Sequence, residues 1–209
     1  PYNWVPIGSM EHLNAAQLSE FMDFYKKFYV PNNATLSIAG DIDIEETKKL
    51  IEGYFGTIPR GADVIQPTIQ EPALGGEKTA TIYDNIQLPA VMMGYRMPPQ
   101  TSDDAYALQM ASSVLSGGPS SRMYKRLVDQ DQTALQVFSF PFSLEQGGAF
   151  ITFSLANAGK TIDDMVPGLE EEIAKLQNEL ISEREFQKIQ NQMESSFTQS
   201  NSKMAGIAE

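Results

Sequence analysis

Apolar positions recur at helical spacing in some stretches of the chain and at strand spacing in others, and their order sets the expected architecture. Leu18, Phe21, Met22, Phe24, Tyr25 and Phe28 mark an amphipathic helix from about residue 16 to 29, ended by Pro31. The apolar run 34–39 has the length of a strand, and Gly40-Asp41 turns the chain behind it. Asp43, with Glu46 three residues on, reads as a capping box opening a helix to about Phe55 that buries Leu50, Ile51, Tyr54 and Phe55. Pro59, Gly61, Pro67, Pro72, Gly75 and Gly76 sustain neither a helix nor an inner strand, so residues 59–76 are expected to form a linker. Residues 1–15, with Pro1, Pro6, Gly8 and Asn14, read as a loop.

From residue 77 the periods change. Residues 77–84 alternate polar and apolar as a half-buried strand does, and 88–97 is a more apolar strand stopped by Pro98-Pro99. A helix opens at Asp103 and carries the stripe Ala105, Leu108, Met110, Ala111, Val114 and Leu115. Gly117 and Gly118 are expected to take φ > 0 and stop it. Ser120 or Ser121 then caps a second helix, whose short apolar face is Met123, Tyr124 and Leu127. A glycine pair before a helix also suits an anion, but no nucleotide-binding fingerprint surrounds this one. Strands follow at 135–140 and 149–155. Thr161 caps a helix holding Met165, Leu169, Ile173 and Leu176, in which Pro167 is tolerable only in the first turns. Ser182 with Glu185 is another capping box, opening a helix with Phe186, Ile189, Met193 and Phe197. The order β-β-α-α-β-β-α-α predicts an α+β fold: two layers, a mostly antiparallel sheet with helices on one face.

Two blocks carry a resemblance. The first is Tyr29-Val30-Pro31-Asn32-Asn33, an apolar strand pattern, Gly40-Asp41, and then Tyr54-Phe55-Gly56-Thr57-Ile58-Pro59. The second is Leu115-Ser116-Gly117-Gly118-Pro119-Ser120-Ser121-Arg122-Met123-Tyr124-Lys125-Arg126-Leu127. In order and spacing they resemble the M16 zinc peptidases, along nearly the whole chain. The resemblance implies that 1–58 is the closing helix-strand-helix of a first M16-like domain and 59–76 a linker. Residues 77–209 would then be a second, non-catalytic M16-like domain. It also implies a parent that hydrolyses peptide bonds with zinc-activated water, and this piece would brace the active domain and wall a chamber enclosing the peptide.

That chemistry needs His-x-x-Glu-His on a helix, two imidazoles holding the zinc and a glutamate working on the bound water. The chain has one histidine, His12, preceded by Glu11. Where the motif puts its first ligand stands Gly8, which has no side chain to offer. The expectation is therefore no catalytic residue and no metal site here, with zinc held upstream of Pro1. The family also carries an Arg and, seven residues on, a Tyr, which touch the substrate backbone from the non-catalytic half. The matching positions are Val128 and Leu135, and neither side chain can donate a hydrogen bond. Arg122 and Arg126 are weak candidates for a peptide carboxylate, against ordinary pairing with nearby acids.

Charge and composition narrow the partners. A net charge of −12 argues against nucleic acid and anionic membranes. The absence of cysteine removes disulfides and thiolate sites, and one histidine cannot build a Ser/His/Asp relay. No apolar run approaches the ~20 residues needed to span a bilayer, so no membrane insertion is expected. Glu170, Glu171 and Glu172 fan over different helix faces and form no ligand cluster, while Asp103-Asp104 and Asp163-Asp164 suit helix starts. Opening on Pro1 without Met, the sequence reads as an excised piece of something longer. The expected partners are the upstream catalytic domain, the other M16-like half or subunit, and peptide substrate. Phe21, Phe24 and Phe28, stripped of their cover, would pack on the second domain or drive self-association. A periplasmic or envelope parent fits the resemblance. The alternative is a scaffold or inactive-subunit homologue that has lost peptidase activity.

Overall fold

Three strands carry the later part of the chain: β1 (Ala90–Met97), β2 (Ala134–Leu144) and β3 (Gly147–Ala156). In the computed structural model, which describes all residues except 1, 3, 5, 6, 70 and 209, they form one antiparallel sheet in the order β1-β3-β2. The chain divides into two compact units, Pro1–Glu77 with Ser196–Glu209 and Lys78–Ser195.

In the sheet-bearing unit the register places Met93, Thr152 and Ser139 in one row and Val91, Ser154 and Val137 in the next. Side chains alternate across a pleated sheet, so these rows share one face. Helices α4 (Asp103–Ser116) and α5 (Ile162–Asn178) supply Leu115, Met165 and Leu169 to the buried cluster on that face, against Val137, Phe150 and Ala156. This is the expected α+β arrangement, helices on one side of an antiparallel sheet. Ser102 caps α4, and Thr161 and Asp164 form a reciprocal capping box on α5. Backbone and hydroxyl donors of Thr161 hold the Asp164 carboxyl below the usual carboxylate range. Pro167 sits in the second turn of α5, beside Gly168, where a Cβ would lie 2.9 Å from Leu127 Cδ2.

The other unit holds α1 (Met10–Ala15), α2 (Leu18–Phe28), a 3-10 turn (Pro31–Asn33), α3 (Ile44–Phe55) and α7 (Met204–Ala208). Helix α6 (Glu183–Ser200) crosses the boundary between the units. Asp43 caps α3 by accepting from the Glu46 N–H at 2.8 Å. The Asn32 side chain accepts from the Gly61 N–H at 2.9 Å and donates to the Ala62 carbonyl, tying the 3-10 turn to the chain that follows α3. No described residue of this unit is buried. Phe21 and Phe24 are 53% and 57% exposed, and the Phe24 ring lies tilted against Phe28, centroids 4.5 Å apart.

Several sequence expectations need correction. Residues 34–39 and 77–84 are not strands: both run outside the three-stranded sheet, and strand character needs a sheet to join. Ile82 and Tyr83 are 87% and 92% exposed, so the alternation there is not matched by a covered face. Residues 10–15, read as loop from their Pro/Gly-rich flank, form α1 because Ser9 accepts the His12 N–H and caps it. Of the glycine pair only Gly118 takes a positive φ, +93°. Gly117 is needed for room instead, since a Cβ there would lie 2.5 Å from the Ser113 carbonyl oxygen. Neither Ser120 nor Ser121 caps the next helix: the Ser121 hydroxyl donates back to the Gly118 carbonyl and Ser120 accepts from Lys188. That helix is π-helical over Tyr124–Gln130, a wider coil than the α-helical spacing implied.

Candidate functional site

The junction between α4 and β2 is where the sequence concentrates its candidate chemistry. Gly118 reverses the chain, Arg122 and Met123 open a helical turn, and the π-helical segment delivers Val128 before Gln132, in the left-handed region at φ +52°, turns into β2. Leu127 and Met123 are fully buried and anchor this segment to the sheet, with Val128 packed beside them. At the start of β2 the register slips between Ala134 and Gln136, so Leu135 is the extra residue of a β-bulge and is half exposed. A π-helix and a bulge are both places where folds re-aim side chains. Here they present two aliphatic groups, which offer contact area and no hydrogen bond.

The two arginines are occupied internally. Arg122 grips Glu185 with two parallel bonds, Nε–Oε1 2.8 Å and a terminal nitrogen to Oε2 at 3.0 Å. Glu185 also accepts from the Ser182 N–H and hydroxyl, closing the capping box that starts α6. Those donors, Arg122 foremost, hold the Glu185 carboxyl at about 2, and Glu185 in turn raises the Arg122 guanidinium. Arg126 bridges Asp131 and Glu171, and the Asp131 bond raises its guanidinium further. Lys175 reaches both Glu171 and Glu172 at 2.9 Å; Glu172 foremost raises the ammonium, and the Lys175 bond lowers Glu171. The row Glu170–Glu172 thus divides as its helix geometry requires: Glu172 is buried against Lys175 while Glu170 and Glu171 face outward.

Beside this junction lies an apolar cavity of about 570 Å³ between α4, α5, the start of α6 and the ends of β1 and β3. Leu108, Ala111, Leu115, Phe150, Ile173 and Phe186 line it. Its wall is hydrocarbon with Tyr95, Arg96 and Gln177 as polar members, so it fits apolar side chains and holds no acid–base pair. The α4 stripe read from the sequence supplies Leu108, Met110, Ala111, Val114 and Leu115 to its lining.

His12 lies on α1 with its ring edge-on to Trp4, centroids 5.3 Å apart, both exposed. Gly8, at φ +71°, is a turn residue before that helix. Among the described residues no three His, Cys, Asp or Glu side chains converge in a way that would hold a metal ion. A zinc ion needs at least three protein ligands of this kind. One exposed imidazole with a glycine at the neighbouring ligand position does not fit one.

Against known proteins, the family model described as "Peptidase M16 inactive domain" matches residues 15–193. The zinc protease PqqE of Helicobacter pylori is 27% identical over 213 residues, covering 99% of this chain and 48% of that protein. A crystal structure of a protease from Helicobacter pylori superposes with a TM-score of 0.90 at 26% identity, over 100% of this chain and 51% of that one. The peptidase M16 inactive domain from Pseudomonas fluorescens shares the fold, TM-score 0.76 at 16% identity, over 94% and 47%. The chain spans about half the length of the curated relatives it matches.

Proposed function

Because this chain belongs to the M16 peptidase family as its inactive domain, we propose that it is the non-catalytic part of a zinc metalloendopeptidase, bracing the active domain and walling a chamber that holds an unfolded peptide. The observation that carries the reading is the pairing of a family fold with a disarmed site. By the resemblance, the positions from which the family reaches substrate fall at Val128 and Leu135, and the sequence's one imidazole, His12, lies on a short exposed helix. Such a surface contributes shape and apolar contact and leaves bond cleavage to another part of the protein.

In this reading residues 1–58 complete the upstream domain, residues 59–76 connect, and residues 77–209 form the supporting domain. The extended segment 34–39 and the uncovered α2 support the first assignment, since both lack the neighbours their patterns call for. Zinc, where the parent holds it, belongs to the upstream half. Peptide substrate would meet this chain through side-chain contact, because Arg122 and Arg126 are already spent on Glu185, Asp131 and Glu171. The parent's site of action is the bacterial periplasm or envelope in this reading, a matter for cell fractionation. Among the described residues no helix is long and apolar enough to cross a membrane.

The same two aliphatic residues also support a second reading, a scaffold or inactive-subunit homologue. Two measurements separate the possibilities. Purified chain incubated with zinc and unfolded casein is expected to retain no metal and cleave nothing; zinc-dependent cleavage overturns the non-catalytic role. Any coding sequence upstream of Pro1 bears on the rest. His-x-x-Glu-His there makes the parent an enzyme, and its absence makes it a scaffold or inactive partner.

A further inference from the structure

Helix α6 lies more loosely against the rest of the sheet-bearing unit than α4 or α5 do. Among its described residues only Ile189 is buried. Glu185, Lys188 and Ile189 stand three and four positions apart, which puts them on one face of the helix. The two charged members of that face meet a single turn, the one Gly118 reverses. Arg122 holds Glu185 through two parallel bonds, and the Ser120 hydroxyl accepts from the Lys188 ammonium at 2.6 Å. Ile181 and Phe186, on either side of the Ser182 cap, line the apolar cavity. Phe186 stays 41% exposed there, so it gains only part of the energy of a fully buried ring. The chain enters α6 through residues 179–182, where Leu180 is 97% exposed. All of these residues belong to one compact unit, Lys78–Ser195.

We propose that residues 179–182 and the first turns of α6 form a lid on this cavity, latched by Arg122–Glu185 and Lys188–Ser120, which opens while the sheet and α5 stay folded. Ionic hydrogen bonds suit a latch. A bidentate arginine–carboxylate pair is strong where it is partly shielded, yet it acts over one contact distance and leaves no graded packing once it parts. Packing of the α5 kind, with Met165 and Leu169 fully buried, opens only with the whole unit. Neither Ser120 nor Arg122 lines the cavity, so the turn after Gly118 controls an apolar space from outside it. Release of the latch carries Ile181 and Phe186 off the wall and widens the cavity beside Leu108, Met110 and Ala111 of α4.

Hydrogen exchange and methionine oxidation on the full 209-residue chain test the lid. Arg122→Leu removes the bidentate pair. Ser120→Ala, at an exposed position, removes only the second contact and leaves folding intact. Amides 186–190 are expected to exchange at least about tenfold faster in Arg122→Leu and about threefold faster in Ser120→Ala, with β3 and α5 amides within about twofold of the parent chain. Met110, on the cavity wall, is expected to be oxidised by hydrogen peroxide at least about threefold faster in Arg122→Leu, with the fully buried Met165 unchanged. Acceleration of α6 and β3 by one common factor overturns the proposal, since α6 would then open only with the whole unit. So does faster exchange in α6 with Met110 unaltered, which would make the helix loose without making it a lid. Exchange at 186–190 unchanged in both variants overturns the latch.

Discussion

Arg122 and Glu185 stand 63 residues apart in sequence and meet through two parallel hydrogen bonds, at 2.8 and 3.0 Å. The same carboxylate caps α6 through Ser182, so one side chain fixes both where that helix begins and where it docks on the junction after α4. Arg122 is 17% exposed and Glu185 34%, an intermediate burial at which a bidentate pair retains more energy than one on the open surface.

The pair makes stability depend on acid. Glu185 falls from an ordinary value of 4.5 to about 2 in the folded chain. A carboxyl lowered by folding stabilises fully above its unfolded value, and that contribution fades as pH falls from about 4.5 towards about 2. Glu185→Gln is expected to cost about 1–2 kcal/mol at pH 7 after allowance for solvent screening, and to flatten the acid limb of the stability curve. Urea melts at pH 7 and pH 3 check it: a variant that loses as much stability between those pH values as the parent chain would show that other carboxyls carry the acid limb.

Ser116 covers the outer edge of β2. Its hydroxyl oxygen accepts from the Ser139 N–H at 2.6 Å and lies 2.9 Å from the Ser139 hydroxyl, while the Ser139 hydroxyl donates to the Ser112 carbonyl. An edge-strand N–H facing a helix has no water to turn to, so the last turn of α4 supplies its acceptor. Ser116→Ala should lower stability by about 1–3 kcal/mol, the cost of stranding a partly buried donor. Ser113→Ala, one turn position away and bonded only to its own helix, should change little in the same thermal melts.

Thr152 presents the opposite case. It is fully buried in the middle strand, and its Oγ1 has no hydrogen-bond partner. Thr152→Val keeps the shape and the β-branching while removing the orphaned oxygen. The expected result is a gain of up to about 1 kcal/mol, read as a shift of the denaturant midpoint without a change of slope. A loss of stability would mean the hydroxyl is satisfied after all.

What the sequence made legible follows from what its patterns measure. Capping residues act within a few positions, so Ser182 with Glu185, and Thr161, announced the starts of α6 and α5. The period-two runs of β2 and β3 pair with each other through a short hairpin, so their strand character was also local information. Residues 34–39 and 77–84 carry equally good strand patterns but need partners from elsewhere, and pattern alone does not say whether a partner is present. The π-helical stretch and the bulge at Leu135 were illegible for a related reason: both are adjustments that let Leu127 and Ala134 reach one core, a tertiary constraint with no periodic signature. At the candidate site, the aliphatic identities of Val128 and Leu135 could be read directly, while the apolar cavity beside them could not, because five separate elements line it.

The uncovered helices of the first unit give the last test. Helices α2 and α3 are 11 and 12 residues long, lengths at which a helix in water is marginal without tertiary burial. No described residue of that unit is buried, and Leu18, Tyr54 and Phe55 on these helices are 77%, 75% and 53% exposed. Amides of β3 and α5, by contrast, sit over a core in which Met165 and Leu169 are fully buried. Hydrogen exchange on the isolated chain should therefore exchange α2 and α3 orders of magnitude faster than β3, as locally opening segments do. In the protein expressed from the whole reading frame the two helices should become protected, because the apolar side of each then has something to bury against. Equal protection of α2 and β3 in the isolated chain would mean that the helices find their cover without any further sequence, and the assignment of residues 1–58 to an upstream domain would have to be given up.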